Sequence, residues 1–183
     1  MAAEHVNGGA PRDVLKGAAA GAIGGLVASW AMTRFTSVWT RLAAGHESQS
    51  AGGEHDARDW QERSEDQNAT ELVAERAAEL TIGRPLTRDE MSLAAPIVHY
   101  LFGISMGAVY GAAVEAIPSV NPLTGAAWGT VVYLGADTIG MPALGLSEGP
   151  QQYTPELYAQ GFAAHVVYGV TTDVVRNVVR RLM

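Results

Sequence analysis

The sequence predicts an all-α integral membrane protein: four transmembrane helices as two hairpin repeats, with a short amphipathic helix in the long loop between helices one and two. Three observations carry this. Charge is segregated, with twelve acidic and five basic residues between Leu42 and Glu90 and seven of each elsewhere, so the net charge of −7 sits in one segment. Outside that segment, apolar runs cover Gly17–Thr33, Met91–Val114, Ala116–Ser147 and Leu157–Thr172, broken by a single charge at Asp137. A hydrocarbon core takes about 20 predominantly apolar residues per helix. The second and third runs reach that length outright; the first draws in Arg34, and the fourth Asp173 and Arg176. Finally, Pro96 to Val114 offers only His99, Tyr100, Ser105 and Tyr110 as polar groups around its circumference. A surface helix of a soluble bundle carries a polar face, so a soluble Ala/Gly-rich bundle is disfavoured.

Residues 1–12 form an N-terminal tail. Arg12 and Lys16 precede an apolar stretch in the manner of a signal peptide, but no small-residue cleavage site follows it. The first transmembrane helix is expected over 13–40. An acidic flexible linker, 41–67, is rich in Gly, Ser, Glu and Asp with little to bury. Asn68-Ala-Thr-Glu71 then opens the amphipathic helix and turn of 68–86, whose apolar side is read as Leu72, Val73, Ala77 and Leu80, with Gly83 and Pro85 ending it. Thr87-Arg-Asp-Glu90 is a capping box for the second transmembrane helix, 88–116, which Pro118 closes. Asn121-Pro122 and Thr154-Pro155 each place a cap before a proline at the first helical position, opening the third helix, 122–142, and the fourth, 155–181. Between those two lies a Gly/Pro loop, 143–154.

An internal repeat links the halves. Leu15-Lys-Gly17-Ala18-Ala19-Ala-Gly21 matches Leu123-Thr-Gly125-Ala126-Ala127-Trp-Gly129 at five positions, and His99-Tyr-Leu-Phe102-Gly103 parallels His165-Val-Val-Tyr168-Gly169. Odd helices then cross in one direction, giving a parallel repeat about the membrane normal. Gly17, Gly21 and Gly25, and likewise Gly103, Gly107 and Gly111, recur every fourth residue and place small residues on one helix face, with Gly169 at the equivalent point of the fourth helix. Such faces let helix backbones approach closely in lipid. They serve either packing within the chain or another subunit. A nucleotide loop is the weaker reading of 17–25, which lacks a preceding strand and a lysine-serine pair.

The candidate intramembrane polar site comprises His99, Asp137, His165, Glu115 and Asp173. Ionisable groups in hydrocarbon are costly and normally face a bundle interior, a water-filled cavity or each other. The two histidines fall at equivalent repeat positions near mid-depth, where imidazole titrates near neutral pH. Each ring could instead hydrogen-bond a neighbouring helix. Glu115 and Asp173 lie near helix ends, where hydration favours a structural role. No catalytic residues are expected: there is no cysteine, no His-Glu-x-x-His, no Gly-x-Ser-x-Gly and no recognisable carboxylate pair. His46 and His55 lack the spacing and companions of a metal site, so neither metal nor cofactor is expected. The acidity speaks against nucleic acid. The expected partners are the lipid bilayer and a second copy or an unidentified membrane protein.

His99-Tyr-Leu-Phe-Gly103 through Tyr110-Gly111 to Glu115-Ala-Ile-Pro118, the Pro142-Ala-Leu-Gly145-Leu146 turn, and His165-Val-Val-Tyr-Gly169 to Asp173-Val-Val-Arg176 resemble the YagU-like family of small bacterial inner-membrane proteins of unknown function. The resemblance spans nearly the whole chain apart from residues 42–67. It departs at Asp137, where the family carries histidine, and at Asp173, where glutamate is usual. It implies an inner (plasma) membrane location with both termini cytoplasmic and supplies no reaction. Basic residues are too evenly divided between the two sides to fix orientation. The function expected is a non-enzymatic oligomerising or partner-binding membrane module; the alternative is a proton, ion or small-solute pathway lined by the intramembrane His and Asp residues.

Overall fold

Pro11 at the first helical position and Asp13 in the first turn open helix α1, Pro11–Glu47, where a proline loses no hydrogen bond and an acid meets the positive end of the helix dipole. The computed structural model describes residues 11–47, 69–117, 124–145 and 154–183. α1 continues through residues 41–47, which the sequence had assigned to the flexible linker. Thr33, Thr36, Ser37 and Thr40 each donate their hydroxyl to the carbonyl four residues back, so these polar side chains are satisfied within the helix. The rest of the acidic linker, the Asn68 and Asn121 caps, Pro118 and most of the Gly/Pro loop lie outside the described residues.

Helix α2, Ala69–Ile82, ends at Gly83, whose φ of 70° is the left-handed conformation glycine adopts without strain. It lies against α3, Arg88–Ala116. Its contact with α3 runs through small residues. Ala74 and Ala78 are buried, whereas Leu72 is exposed and Leu80 is 87% exposed, because close approach to α3 selects the smallest apolar side chains. The capping box that starts α3 is formed: Thr87 Oγ1 accepts from the Glu90 amide at 3.3 Å, and Glu90 accepts from the Thr87 amide at 2.9 Å. Arg84 grips both oxygens of Glu90, at 2.7 and 2.8 Å, fastening the α2–α3 turn.

The third long segment is not one regular helix. α4, Thr124–Val132, passes directly into a π-helix over Tyr133–Gly140 and then α5, Met141–Ala143. In the π-helix the Met141 amide reaches Ala136 and Thr138 Oγ1 reaches the Tyr133 carbonyl, five residues back in each case. Gly145, at φ 67°, ends this segment. Thr154 caps α6, Pro155–Leu182, with proline at its start and Arg180 and Arg181 in its last turn. Among the described residues there is no strand.

The helices pack in the order α3, α1, α6, α4, with α1 between α3 and α6, and α2 outside α3. Asp13 meets Arg180 at one end of the α1–α6 pair and Thr40 meets Gln160 at the other, so the two are antiparallel. Gly17, Gly21 and Gly25 of α1 face Gly111, Gly107 and Gly103 of α3. A Cβ on Gly107 would stand 2.8 Å from Gly25 Cα, and one on Gly111 2.9 Å from Gly21 Cα, so backbone touches backbone. α6 approaches α1 as closely at Gly24, where a Cβ would stand 2.7 Å from the Thr172 carbonyl oxygen. α4 meets α6 through Gly125, Gly129 and Gly169. The registers of the two pairs differ, however. Gly17 sits against Gly111, but its repeat equivalent Gly125 sits against Gly169, about two turns from the position strict repetition requires.

Two helices, spanning Pro11–Ala43 and Arg88–Ala116, are long and apolar enough to cross a membrane. Large apolar side chains lie on the outside of the bundle, and polar groups lie among the alanines and tyrosines of its interior. Ile23, Trp30, Leu93, Ile97, Leu101 and Val131 are exposed, whereas Ser29, His165, Thr172 and Arg176 are buried.

Candidate functional site

Two polar clusters lie at different levels of the bundle. The first brings together His99 of α3, Asp137 of the π-helix and His165 of α6. His165 is fixed from both sides. Its Nδ1 lies 2.8 Å from the Gly161 carbonyl, which can only accept, so Nδ1 carries the ring hydrogen. Its Nε2 lies 3.2 Å from Asp137 Oδ2. Tyr133, one turn before Asp137, packs its ring 5.2 Å from the imidazole.

The tautomer has a chemical consequence. A neutral imidazole protonated at Nδ1 leaves Nε2 as an acceptor, and a carboxylate is an acceptor as well. The contact between them therefore holds only when one further proton is present, either on Nε2 as imidazolium or on the Asp137 carboxyl.

His99 completes the cluster. Its ring lies near the Ser29 backbone, His165 and Asp137. Its Nε2 is buried without a hydrogen-bond partner among the described residues, as is Oγ of Ser29. Ser29 is only 1% exposed and packs against Gly103, the residue one turn beyond His99. Buried polar atoms left in this way are sites for ordered water or a ligand. Sequence reasoning missed Ser29, since a serine in an apolar helix leaves no periodicity or charge signal.

The other two candidates, Glu115 and Asp173, do not join this cluster. They belong to a network at the end of the bundle where α1 begins and α6 finishes. Tyr110 donates to Asp173 at 2.7 Å, and Asn177 to the same oxygen at 3.0 Å. Arg176 donates to Asn177 at 2.8 Å and pairs with Glu115. Arg180 bridges Glu115, at 2.8 Å, and Asp13, at 3.0 Å. This ties α1, α3 and α6 together. Arg176 is buried, and a buried charge persists only when paired and hydrogen-bonded.

Between the clusters, polar groups continue along the inner face of α6. Tyr168 donates to the Gly103 carbonyl at 2.6 Å, and Thr172 to the Tyr168 carbonyl at 2.8 Å. On the opposite side, α3 and α4 make little backbone contact and meet through the rings of Tyr110 and Trp128, 5.6 Å apart. The Asp137 side chain is 43% exposed, against 9% for His165. No group of three or more metal-ligating side chains occurs among the described residues.

Residues 61–174 match the model of a protein family of unknown function, DUF1440. The matched stretch holds His99, Asp137, His165, Glu115 and Asp173, and excludes α1, Arg176 and Arg180. No curated protein and no solved structure matches the chain.

Proposed function

We propose that this chain, which belongs to the DUF1440 family of proteins of unknown function, is a four-span membrane protein that passes protons through the His99–Asp137–His165 cluster. The observation that carries the reading is the His165–Asp137 contact, which requires a proton that either partner can hold, beside a buried His99 Nε2 without a hydrogen-bond partner among the described residues. Histidine exchanges protons near neutral pH, and carboxylate–histidine sets within membrane helices are proton relays. Tyr168, Thr172 and Asp173 extend the polar line toward the terminal end of the bundle.

Membrane insertion is supported by the large apolar side chains on the outside of the bundle. The two apolar helices have only 39% and 22% of their most apolar windows buried, unlike the core helix of a soluble protein. Arg34, the charge the first span must draw in, folds over the Trp30 ring at 5.6 Å, as an interfacial arginine does. The segment from α4 to α5 and α6 supply the other two spans. α6 is less apolar because its charges face inward or lie at its ends.

A module that oligomerises through glycine faces is less well supported, since those of α1, α3, α4 and α6 already meet within one chain. The test is proton flux into liposomes under an imposed pH gradient. Native protein should conduct, and His99→Gln and Asp137→Asn should each lower flux by on the order of 100-fold while remaining folded. Flux no greater than that of empty liposomes would discard the proposal.

A further inference from the structure

We infer that the outward face of α1 holds an anionic phospholipid, with its headgroup on Arg34 and Arg41 and its chains on the apolar residues that precede them. This rests on the membrane reading above. Ile23, Leu26, Trp30, Arg34, Ser37 and Arg41 recur at intervals of three and four residues, so they form one stripe along the helix. The stripe faces away from the glycines that meet α3 and α6. Ile23, Leu26 and Trp30 are 43%, 45% and 53% exposed, and Arg34, Ser37 and Arg41 are exposed as well. Its residues are ordered like the parts of a lipid. Apolar side chains come first, an indole follows at the level where aromatic rings meet headgroups, and two guanidiniums finish it.

Among the described residues no carboxylate meets the arginines of this face. α1 has two acidic residues, Asp13 and Glu47, at its opposite ends, and Asp13 is taken by Arg180. The ion pairs of arginine involve Arg76, Arg84, Arg176 and Arg180, and leave Arg34 and Arg41 out. Neighbouring helices add no excess of cations at this level, since α3 begins Arg88-Asp89-Glu90 and α6 opens with Glu156. The attraction for an anion therefore belongs to α1. Arg34 is held over the Trp30 ring at 5.6 Å, and Arg41 stands two turns beyond it, about 10 Å along the axis. Ser37 between them is small and gives its hydroxyl hydrogen to the Thr33 carbonyl. Guanidiniums grip phosphate oxygens in pairs, so a phosphodiester between the two meets both while its acyl chains lie along Leu26 and Ile23. A soluble phosphate would gain only the polar half of these contacts.

The test reconstitutes the full-length protein in phosphatidylcholine bilayers and compares spin-labelled phosphatidylglycerol with spin-labelled phosphatidylcholine. Electron paramagnetic resonance reads the fraction of each lipid held motionally restricted at the protein. Phosphatidylglycerol should be preferred. Arg34→Gln and Arg41→Gln, both at exposed positions, should each lower its relative affinity about fivefold, and the double variant should show no preference. Arg76→Gln, which removes a cation from α2, should leave the preference unchanged. Equal association of the two lipids in the unmodified protein, or an undiminished preference in the double variant, would overturn the site. So would complete displacement of phosphatidylglycerol by glycerol phosphate, which would make this a site for a soluble anion. The same spectra judge the membrane reading separately: a restricted phosphatidylcholine signal sustains it whatever the preference, and the absence of any restricted lipid would refute both.

Discussion

His165 shows how a single tautomer gives a site its chemistry. Because the Gly161 carbonyl holds the Nδ1 hydrogen, the side of the ring that faces Asp137 is the one that can gain or lose a proton. The three members of this cluster were legible in the sequence because an ionisable residue in an apolar run is conspicuous. Their separation from Glu115 and Asp173 was not, since depth depends on how the helices slide past one another. That second group behaves differently under substitution. Arg176 is buried against Glu115, so Glu115→Gln strands a buried guanidinium and should cost about 3–5 kcal/mol. Glu115→Leu combined with Arg176→Met, which removes both charges, should cost less than that single change. Thermal unfolding in detergent compares the two, and a more stable Glu115→Gln protein would contradict the assignment.

Among the elements, the π-helix is the one the sequence concealed. Leu134, Gly135, Ala136 and Ile139 fit an α-helix equally well, and nothing in their order announces a wider turn. Its geometry makes a discriminating pair of substitutions. A Cβ on Gly140 would lie 2.8 Å from the Gly135 carbonyl oxygen, whereas one on Gly135 meets open space. Gly140→Ala should therefore disturb the segment that carries Asp137 and lower proton flux, and Gly135→Ala should leave flux within about twofold, as expected for a change away from packed or strained positions. Equal behaviour in the liposome assay would mean that the π-helix has no part in placing Asp137. In α2 the contact with α3 is made by Ala74 and Ala78, which leaves Leu72 and Leu80 of its apolar side exposed.

At the scale of the whole molecule, the antiparallel packing of α1 and α6 places both ends of the described chain together. Lys16 donates to the Met183 carbonyl at 3.3 Å, and Arg180 meets Asp13. Since the sequence contains no cysteine, single cysteines can report this directly. Arg12→Cys and Leu182→Cys should react with a membrane-impermeant maleimide from one side of a sealed vesicle and Thr81→Cys from the other; labelling of all three from one side would refute the four-span arrangement. The starts of α3 and α6 were legible from their caps; the end of α1, which runs to Glu47, and the division of the third segment were not. The packing order was not, because glycine faces say that helices touch without saying which ones.

The position of α1 at the centre of that order also bears on how the protein is made. α1 leaves the ribosome first of the described helices, yet one of its two flanking helices, α6, is the last. During translation the α6-facing side of α1, with Gly24 at its middle, must wait uncovered for a partner still to be synthesised. Contacts between residues so far apart in sequence are slow to form. A chain stalled before α6 would present that side to any other small-residue helix nearby, so the interval before α6 is made is the one in which α1 is open to a wrong partner.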